Sequence, residues 1–260
     1  MLNYKFLTIN GSNFDQYGLF CVKNKKHPGY IAKKNWLMSR FAEGLKIKLI
    51  VTEGGKQAGF IEYIPGDYTW RVITAPGYLV IHCIWAESKK FSSTGMASAL
   101  LAECVKDAEL SGMSGVAVVT SDGSWMAGKD IYLKNGFQQV DDAAPHFQLL
   151  VKSLKSVGQM PFFPTNFDQR LKNLSDLQLL FTPQCPYIGK ALEELPPVAE
   201  KYGAQLKLVE MKNASEAREK MPSPYGVFAL VHNGRLLADH AISATRFKNI
   251  LERELKLKVI

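Results

Sequence analysis

A strand, a polar loop and a helix follow one another between Gly77 and Glu109, and this stretch constrains the fold more than any other. Tyr78 to Trp85 is an apolar run rich in β-branched and aromatic residues, which predicts a largely buried strand. From Gly95 onward, apolar residues recur at three- and four-residue spacing, which predicts an amphipathic helix. The small residues Gly95 and Ala97 lie where this helix begins.

The start of the predicted helix has the chemistry of an anion site. The first turn of a helix leaves backbone N–H groups unpaired and carries partial positive charge, and both attract phosphate oxygens. Gly95 has no Cβ, which lets a pyrophosphate approach the backbone closely. Lys89 and Lys90 add positive charge in the same loop. The alternative is an ordinary strand-to-helix connection with two solvated lysines.

The loop and the start of the helix also resemble a known family. Ser92-Ser93-Thr94-Gly95-Met96-Ala97 is similar to the acyl-CoA-binding motif Gln/Arg-x-x-Gly-x-Gly/Ala of the GNAT superfamily of acetyltransferases. Ser92 departs from the motif, because the family usually has arginine or glutamine there. The resemblance implies acetyl-CoA as co-substrate, without a metal, and these residues as its binding site: Ile84, Trp85, Ala86, Lys90, Phe91, Ser92, Ser93, Thr94, Gly95, Met96, Ala97, Ser98 and Tyr132.

A second segment fits the same family. Gly115 to Thr120 predicts a short buried strand, and a helix is expected from about Trp125 to Asn135. Residues 131–137, Ile-Tyr-Leu-Lys-Asn-Gly-Phe, resemble the family's "FYxxxGF" element, whose tyrosine reaches the sulfur of coenzyme A. The resemblance makes Tyr132 the candidate proton donor to the leaving thiolate. The alternative is a core tyrosine on an amphipathic helix.

The remaining elements of the first part give the order of an α+β fold. A strand over 4–9 precedes two helices, over 13–22 and 27–45, and two strands over 46–53 and 57–64 are joined by Gly54-Gly55, a hairpin signal. Two further strands over 138–142 and 146–154 complete the series. This order predicts a mixed, mostly antiparallel sheet with flanking helices, the GNAT fold that the resemblance implies.

The resemblance implies an acyl-CoA-dependent N-acetyltransferase of the EC 2.3.1 type, in which the amine attacks the thioester directly within a ternary complex. The attacking amine must be neutral, so a base has to take its proton. Glu62, His82 and Glu87 are the candidates for this base, and the choice among them stays open. Backbone amides near Trp85 and Ala86 are expected to polarise the thioester carbonyl.

The last part of the chain predicts a second domain. Residues 155–172 contain Pro161 and Pro164 beside phenylalanines and read as an extended connector, because proline cannot continue a helix interior or a strand ladder. The expected domains are therefore 1–154, the acetyltransferase domain, and 173–260. In the second domain a strand, a helix broken by Pro196-Pro197, a strand, a short helix, a hairpin at Asn233-Gly234 and a helix follow in the thioredoxin order.

Cys185 is a candidate thiol site in this second domain. Residues 181–188, Phe-Thr-Pro-Gln-Cys-Pro-Tyr-Ile, resemble a glutaredoxin active-site segment, but Ile188 stands where the resolving cysteine would be. A dithiol cycle therefore cannot run within this domain. A thiolate at a helix amino terminus still has a lowered pKa, and the alternative is a structural remnant. An acetyltransferase domain followed by such a domain resembles the bacterial GNAT proteins with a YoaP-like, thioredoxin-like carboxy-terminal domain.

Composition limits the other partners. The net charge of +8 is spread evenly, since residues 1–152 have 17 basic and 13 acidic side chains and residues 153–260 have 15 and 11. An even spread favours general solubility over a nucleic-acid groove. The four cysteines lie far apart without metal-ligand spacing, and no apolar run is long enough to span a bilayer. A cytoplasmic protein without metal, nucleic-acid or membrane partners is expected, and the amine acceptor and oligomeric state remain open.

Two other functions are compatible with the sequence. One is an acyl-CoA-binding or partner-recruiting module without catalysis, and Ser92 is the residue in its favour. The other is a monothiol redox or binding protein that uses Cys185, and Ile188 argues against it.

Overall fold

The computed structural model describes residues 3–87, 95–123, 125–155 and 158–260, and these form two compact units. Unit 1 comprises Met1–Phe20, Met38–Thr69 and Ile73–Phe163. Unit 2 comprises Cys21–Leu37, Trp70–Val72 and Pro164–Ile260. Unit 2 is thus built from three separate segments, and the domain bounds expected from the sequence, 1–154 and 173–260, stay a prediction.

Unit 1 contains a seven-stranded mixed sheet. Its strands are β1 (Tyr4–Ile9), β2 (Lys46–Thr52), β3 (Gln57–Pro65), β4 (Tyr78–Ala86), β5 (Gly115–Ser121), β6 (Gln138–Ala143) and β7 (Phe147–Ser153). The strand order is β1-β2-β3-β4-β5-β7-β6. The pair β4–β5 is parallel, and the other neighbouring pairs are antiparallel. The α+β order and the hairpin at Gly54-Gly55 are therefore confirmed.

The first helices of the chain are α1 (Phe14–Tyr17), α2 (Tyr30–Phe41), α3 (Met96–Leu110) and α4 (Asp130–Leu133), and residues 30–37 of α2 belong to unit 2. Three of them, α1, α2 and α4, are shorter than the sequence predicts, and a residue with positive φ limits one end of α1 and of the helix predicted over 125–135. Gly18 follows α1 at φ +70°, and Trp125 has φ +75°, which a right-handed helix does not allow. The predicted helix over 125–135 is therefore reduced to α4.

Helix α3 packs on the central strands of unit 1. Its buried face consists of Met96, Leu100, Leu101, Cys104, Asp107 and Ala108, and its apolar members join a core cluster with side chains of β2 to β5. The three- and four-residue spacing read from the sequence is the spacing of this face. At about 25 cal/mol per Å² of buried apolar surface, a face of this kind stabilises the helix more than its propensity does.

A buried polar network ties α3 to β2 and β3. The Tyr63 hydroxyl donates to Asp107 Oδ2 at 2.6 Å, and Lys46 and Lys48 lie 3.1 and 3.3 Å from the same carboxylate. Burial alone would raise the pKa of Asp107, but the hydrogen bonds from Tyr63 and Lys46 and the charges of both lysines lower it below its ordinary value. Burial and Asp107 raise the pKa of Tyr63. The tyrosine therefore stays neutral and the aspartate charged.

Asp107→Ala is expected to lower the free energy of unfolding by about 2 kcal/mol at neutral pH, because the buried Tyr63 hydroxyl loses its acceptor. The folded-state pKa of Asp107 is depressed, so this stability is fully present above its unfolded pKa of about 3.9 and disappears as the pH falls through the folded value. Urea unfolding at pH 7 and pH 3 measures both effects. Glu109→Ala, on the exposed side of the same helix, is the control. An equal loss in both variants would contradict the prediction.

Unit 2 contains a four-stranded sheet. Its strands are β8 (Leu177–Phe181), β9 (Leu206–Glu210), β10 (Phe228–His232) and β11 (Arg235–Ala238), in the order β11-β10-β8-β9. The pair β8–β9 is parallel, and β10 is antiparallel to β8 and β11. Asn233 and Gly234 have φ values of +45° and +76°, so the predicted two-residue hairpin turn is confirmed.

The helices of the carboxy-terminal part are α5 (Phe167–Lys172), α6 (Tyr187–Lys201), α7 (Ala214–Lys220) and α8 (Ala244–Asn249), which a π-helical turn over Ile250–Glu254 extends. The predicted interruption of α6 at Pro196-Pro197 is wrong, because both prolines lie inside one continuous helix. Two missing N–H donors weaken the helix at this point. Burial of Ile188, Ala191 and Leu195 on one face offsets that loss.

Candidate active site

The ladder between β4 and β5 ends before the carboxyl ends of these strands, and this break in the pairing is here called the crevice. The two strands pair in parallel from Tyr78–Gly115 to Ile81–Val118, and beyond Ile81 the described residues of β4 have no ladder partner on β5. The far edge of β4 stays paired with β3 as far as Ala86, and that of β5 with β7. The edge of residues 84–86 that is not paired with β3 therefore faces the crevice. Crevices at the carboxyl ends of parallel strands are common ligand sites.

Helix α3 begins after the loop that follows β4. Gly95 is its N-cap residue at φ +69°, a conformation that favours glycine, and the Gly95 carbonyl accepts the first helical hydrogen bond from Ala99. The first turn contains no acidic side chain that would compete with a bound anion for the backbone N–H groups. The N–H groups of Met96, Ala97 and Ser98 precede the helical ladder. The other predicted binding residues, Lys90, Phe91, Ser92, Ser93 and Thr94, lie outside the described residues.

Hydrogen bonds connect the start of α3 with the end of α4. Asn135 Nδ2 donates to Ser98 Oγ at 3.0 Å and to the Ile131 carbonyl at 2.7 Å. One amide thus links Ser98, the residue directly after the first predicted motif, to the second motif. The sequence contained no signal for the contact between Asn135 and Ser98, because an asparagine before Gly136 is also common at an ordinary helix end.

A bulge in β4 lies next to the crevice. Glu62 of β3 pairs with Cys83 and Tyr63 pairs with Ile81, so His82 is an extra residue on β4. Bulges redirect side chains and are over-represented next to active sites. Beyond the bulge, Ile84 and Ala86 pack against the core cluster on α3, while Trp85 is 50% exposed. The three predicted binding residues on β4 thus point to different surroundings.

The bulge brings two of the three candidate bases together. His82 Nδ1 lies 3.7 Å from Glu62 Oε1, and His82 Nε2 lies 3.0 Å from Thr69 Oγ1. All three side chains are buried. The third candidate, Glu87, pairs instead with Lys56, whose Nζ lies 2.6 Å from Glu87 Oε2. These three side chains form a buried cluster, here called the relay, in which Thr69 lies within hydrogen-bond distance of the imidazole and Glu62 within ion-pair distance of it.

Thr69 is the member of this relay that the sequence did not indicate. It follows a 3₁₀ turn over Gly66–Tyr68 and is fully buried. No periodicity or motif around Tyr68 and Trp70 indicates that this threonine belongs to a site. Its hydroxyl both donates and accepts, so it can bond the imidazole in either tautomer.

Tyr132 lies in the core cluster that also contains Met96, and it is 2% exposed. Its ring meets Phe137 edge to face with 5.6 Å between centroids. This packing fixes the ring next to the helix that begins at Gly95. The role of its hydroxyl as proton donor stays a prediction.

Cys185 of unit 2 lies in a turn that the facing loop holds in place. Thr182 donates from its N–H to the Val227 carbonyl at 3.0 Å, and its hydroxyl donates to the Gly226 carbonyl at 3.0 Å. Gln184 Nε2 also donates to the Gly226 carbonyl. The half-buried thiol follows directly and precedes α6. Hydrogen bonds to the loop that contains Gly226 and Val227 therefore hold Thr182 and Gln184, the residues just before Cys185.

Neither a metal-binding cluster nor a membrane-spanning helix is present among the described residues. In residues 3–87, 95–123, 125–155 and 158–260, His, Cys, Asp and Glu side chains form no group of three or more suited to a metal ion. None of the helices described in those ranges combines the length and the apolar character needed to cross a bilayer.

Comparison with known proteins gives matches for both parts of the chain. A family model described as YoaP-like matches residues 205–249. The Bacillus subtilis (strain 168) protein named "Uncharacterized N-acetyltransferase YoaP" is 28% identical over 250 residues, which cover 95% of this chain and 98% of that protein.

Solved structures match as well. A GNAT family N-acetyltransferase (YhbS) from Escherichia coli in complex with CoA has 11% identity, with 65% of this chain and 93% of that chain covered and a TM-score of 0.42. An IAA acetyltransferase from Bacillus cereus has 16% identity, with 58% and 100% covered and a TM-score of 0.41.

Proposed function

We propose that the chain is a GNAT superfamily N-acetyltransferase with a YoaP-like carboxy-terminal domain, which transfers an acetyl group from acetyl-CoA to an amine. The observation that carries the proposal is the opening between β4 and β5, with the glycine-capped start of α3 after the loop that follows β4. The two sequence motifs support it. So does the N-acetyltransferase name of a relative that matches nearly the whole chain.

In this proposal the two ends of acetyl-CoA meet different parts of unit 1. The pyrophosphate binds the N–H groups at the start of α3, where the helix dipole favours negative charge. The amide-containing arm of the cofactor hydrogen-bonds the backbone of residues 84–86, which has no partner on β5 among the described residues. One of these N–H groups polarises the thioester carbonyl.

The chemical step is direct attack of the neutral amine nitrogen on the thioester carbonyl carbon. The carbon–sulfur bond breaks, the thiolate of coenzyme A leaves with the electron pair, and the amine loses a proton. We assign that proton to His82, with Glu62 and Thr69 holding the imidazole in place. Tyr132 is the proposed proton donor to the thiolate. Glu87 is the less favoured base, because Lys56 pairs with it.

We also propose a thioredoxin-like fold for the carboxy-terminal domain. The strand order β9-β8-β10-β11 supports it, with β8 and β9 parallel and α6 between them in sequence. The position of Cys185 before α6 supports it as well. A cytoplasmic location belongs to the same proposal.

Two measurements on the full chain test the function. Calorimetry with coenzyme A and acetyl-CoA is expected to detect binding to both. Release of free thiol from acetyl-CoA is then measured with a panel of small amines, aminoglycosides, peptides with free amino termini and lysine peptides. Binding without thiol release for any amine would favour the acyl-CoA-binding module. Absence of binding to either compound would overturn the proposal.

A further inference from the structure

A segment from early in the chain crosses the start of α6 within unit 2. Gly29 and the Pro186 carbonyl touch so closely that a Cβ on Gly29 would lie 1.8 Å from that oxygen. A Cβ on Gly189 would lie 2.2 Å from the Gly29 nitrogen. The His27 ring meets the Tyr187 ring edge to face at 5.7 Å. Residues 27–29 are therefore held against the first turn of α6.

The same contact brings two cysteines to one tyrosine. The Tyr187 hydroxyl donates to the Cys21 carbonyl at 3.0 Å, although 166 positions separate the two residues. Cys185 lies two residues before Tyr187, in the turn that leads into α6. Burial raises the pKa of Tyr187, and negative charge on the thiols of Cys21 and Cys185 raises it further. The backbone of Cys21 is thus hydrogen-bonded to the residue two positions after Cys185, which places the two cysteine segments side by side.

We propose that Cys21 and Cys185 are a redox-active dithiol pair, with Cys185 as the attacking thiol and Cys21 as the resolving thiol. Ile188 stands where a Cys-x-x-Cys motif would have its second cysteine, and this buried side chain has no thiol that could resolve a mixed disulfide. Cys21 supplies the missing thiol from another segment of the same unit. Both thiols are half-buried, which leaves them within reach of a small disulfide.

The expected partner is a low-molecular-weight disulfide, R–S–S–R. The Cys185 thiolate attacks one sulfur, which forms a Cys185–S–S–R mixed disulfide and releases R–S⁻. The Cys21 thiolate then attacks Cys185 Sγ, which forms the Cys21–Cys185 disulfide and releases the second R–S⁻. The two thiol protons end on the released thiolates. The protein pair is oxidised by two electrons, and R–S–S–R is reduced to two thiols.

This proposal does not depend on acetyl transfer, since all of its residues belong to unit 2. The test uses the full chain with Cys83→Ser, because the Cys83 thiol is exposed and would react by itself. Cys104 is fully buried and is retained. The reduced protein is mixed with oxidised glutathione, quenched with acid at intervals, alkylated and examined by peptide mass spectrometry.

The expected product is a chain with a Cys21–Cys185 cross-link and no bound glutathione. Adding Cys21→Ser, or Cys21→Ala as a second variant, is expected to leave glutathione attached to Cys185. Tyr187→Phe is expected to slow release of the second glutathione about fivefold, since it removes one hydrogen bond that holds the Cys21 backbone. Circular dichroism of each variant checks that the fold is retained.

Two results would overturn the proposal. One is a mixed disulfide on Cys185 that persists equally with and without Cys21. The other is a cross-link that joins two copies of the chain rather than two cysteines of one copy.

Discussion

His82→Gln is expected to lower kcat for acetyl transfer by about 100-fold, with little change in the affinity for acetyl-CoA. Glutamine retains a polar contact with Thr69 but cannot accept the proton of the amine. Glu62→Gln is expected to act in the same direction, because its carboxylate no longer balances the charge that His82 gains. Steady-state kinetics with the best amine from the panel measures kcat, and calorimetry measures acetyl-CoA affinity.

The controls separate this assignment from its rivals. His232→Gln replaces the same residue type in unit 2 and is expected to leave kcat unchanged. The pH dependence of kcat should flatten in His82→Gln if the imidazole is the base. A large loss in Glu87→Gln together with full activity in His82→Gln would assign the base to Glu87 instead.

Gly95→Asp is expected to weaken acetyl-CoA binding about 100-fold. The new carboxylate stands at the start of α3, where the proposed pyrophosphate lies, and like charges at about 4 Å cost several kcal/mol in a partly buried site. Asparagine has the same shape without the charge, and aspartate and asparagine both tolerate a positive φ better than most residues. Gly95→Asn is therefore expected to lose only about tenfold through the bulk of its side chain. Calorimetry gives both values.

Gly112 offers a matched control on the same helix. It follows the other end of α3 at φ +67°, close to the +69° of Gly95, and a Cβ there meets only Lys155 Nζ at 3.9 Å. Gly112→Asp should thus have the same backbone cost and unchanged acetyl-CoA affinity. Equal losses at the two positions would show that the helix, rather than an anion site, had been disturbed.

The sequence predicted those features that depend on local pattern. Periodicity gave β4 and α3, and the φ values of Asn233 and Gly234 agree with the turn that their types favour. The bulge at His82 was not predictable, because the apolar residues on both sides of it continue the strand pattern and no glycine or other bulge signal interrupts them. The extra residue nevertheless determines which side chains of β4 meet Glu62 and which meet α3.

Long-range features escaped the sequence for a related reason. The sequence argument about a second thiol for Cys185 considered only the neighbouring residues, and the hydrogen bond from the Tyr187 hydroxyl to the Cys21 carbonyl of a distant segment had no local signal. Thr69 became part of the relay through a loop contact that no spacing rule describes. The continuity of α6 depends on tertiary burial, which overrides the propensity of two prolines.

The three-segment composition of unit 2 affects how the protein is made. A ribosome releases Cys21–Leu37 well before the last strands and helices of that unit have been synthesised. Those residues must therefore wait on the nascent chain, accessible to chaperones and proteases, until Pro164–Ile260 has emerged. A fragment that begins at Pro164 would lack Cys21–Leu37, and with that segment the glycine, Gly29, that packs against Pro186.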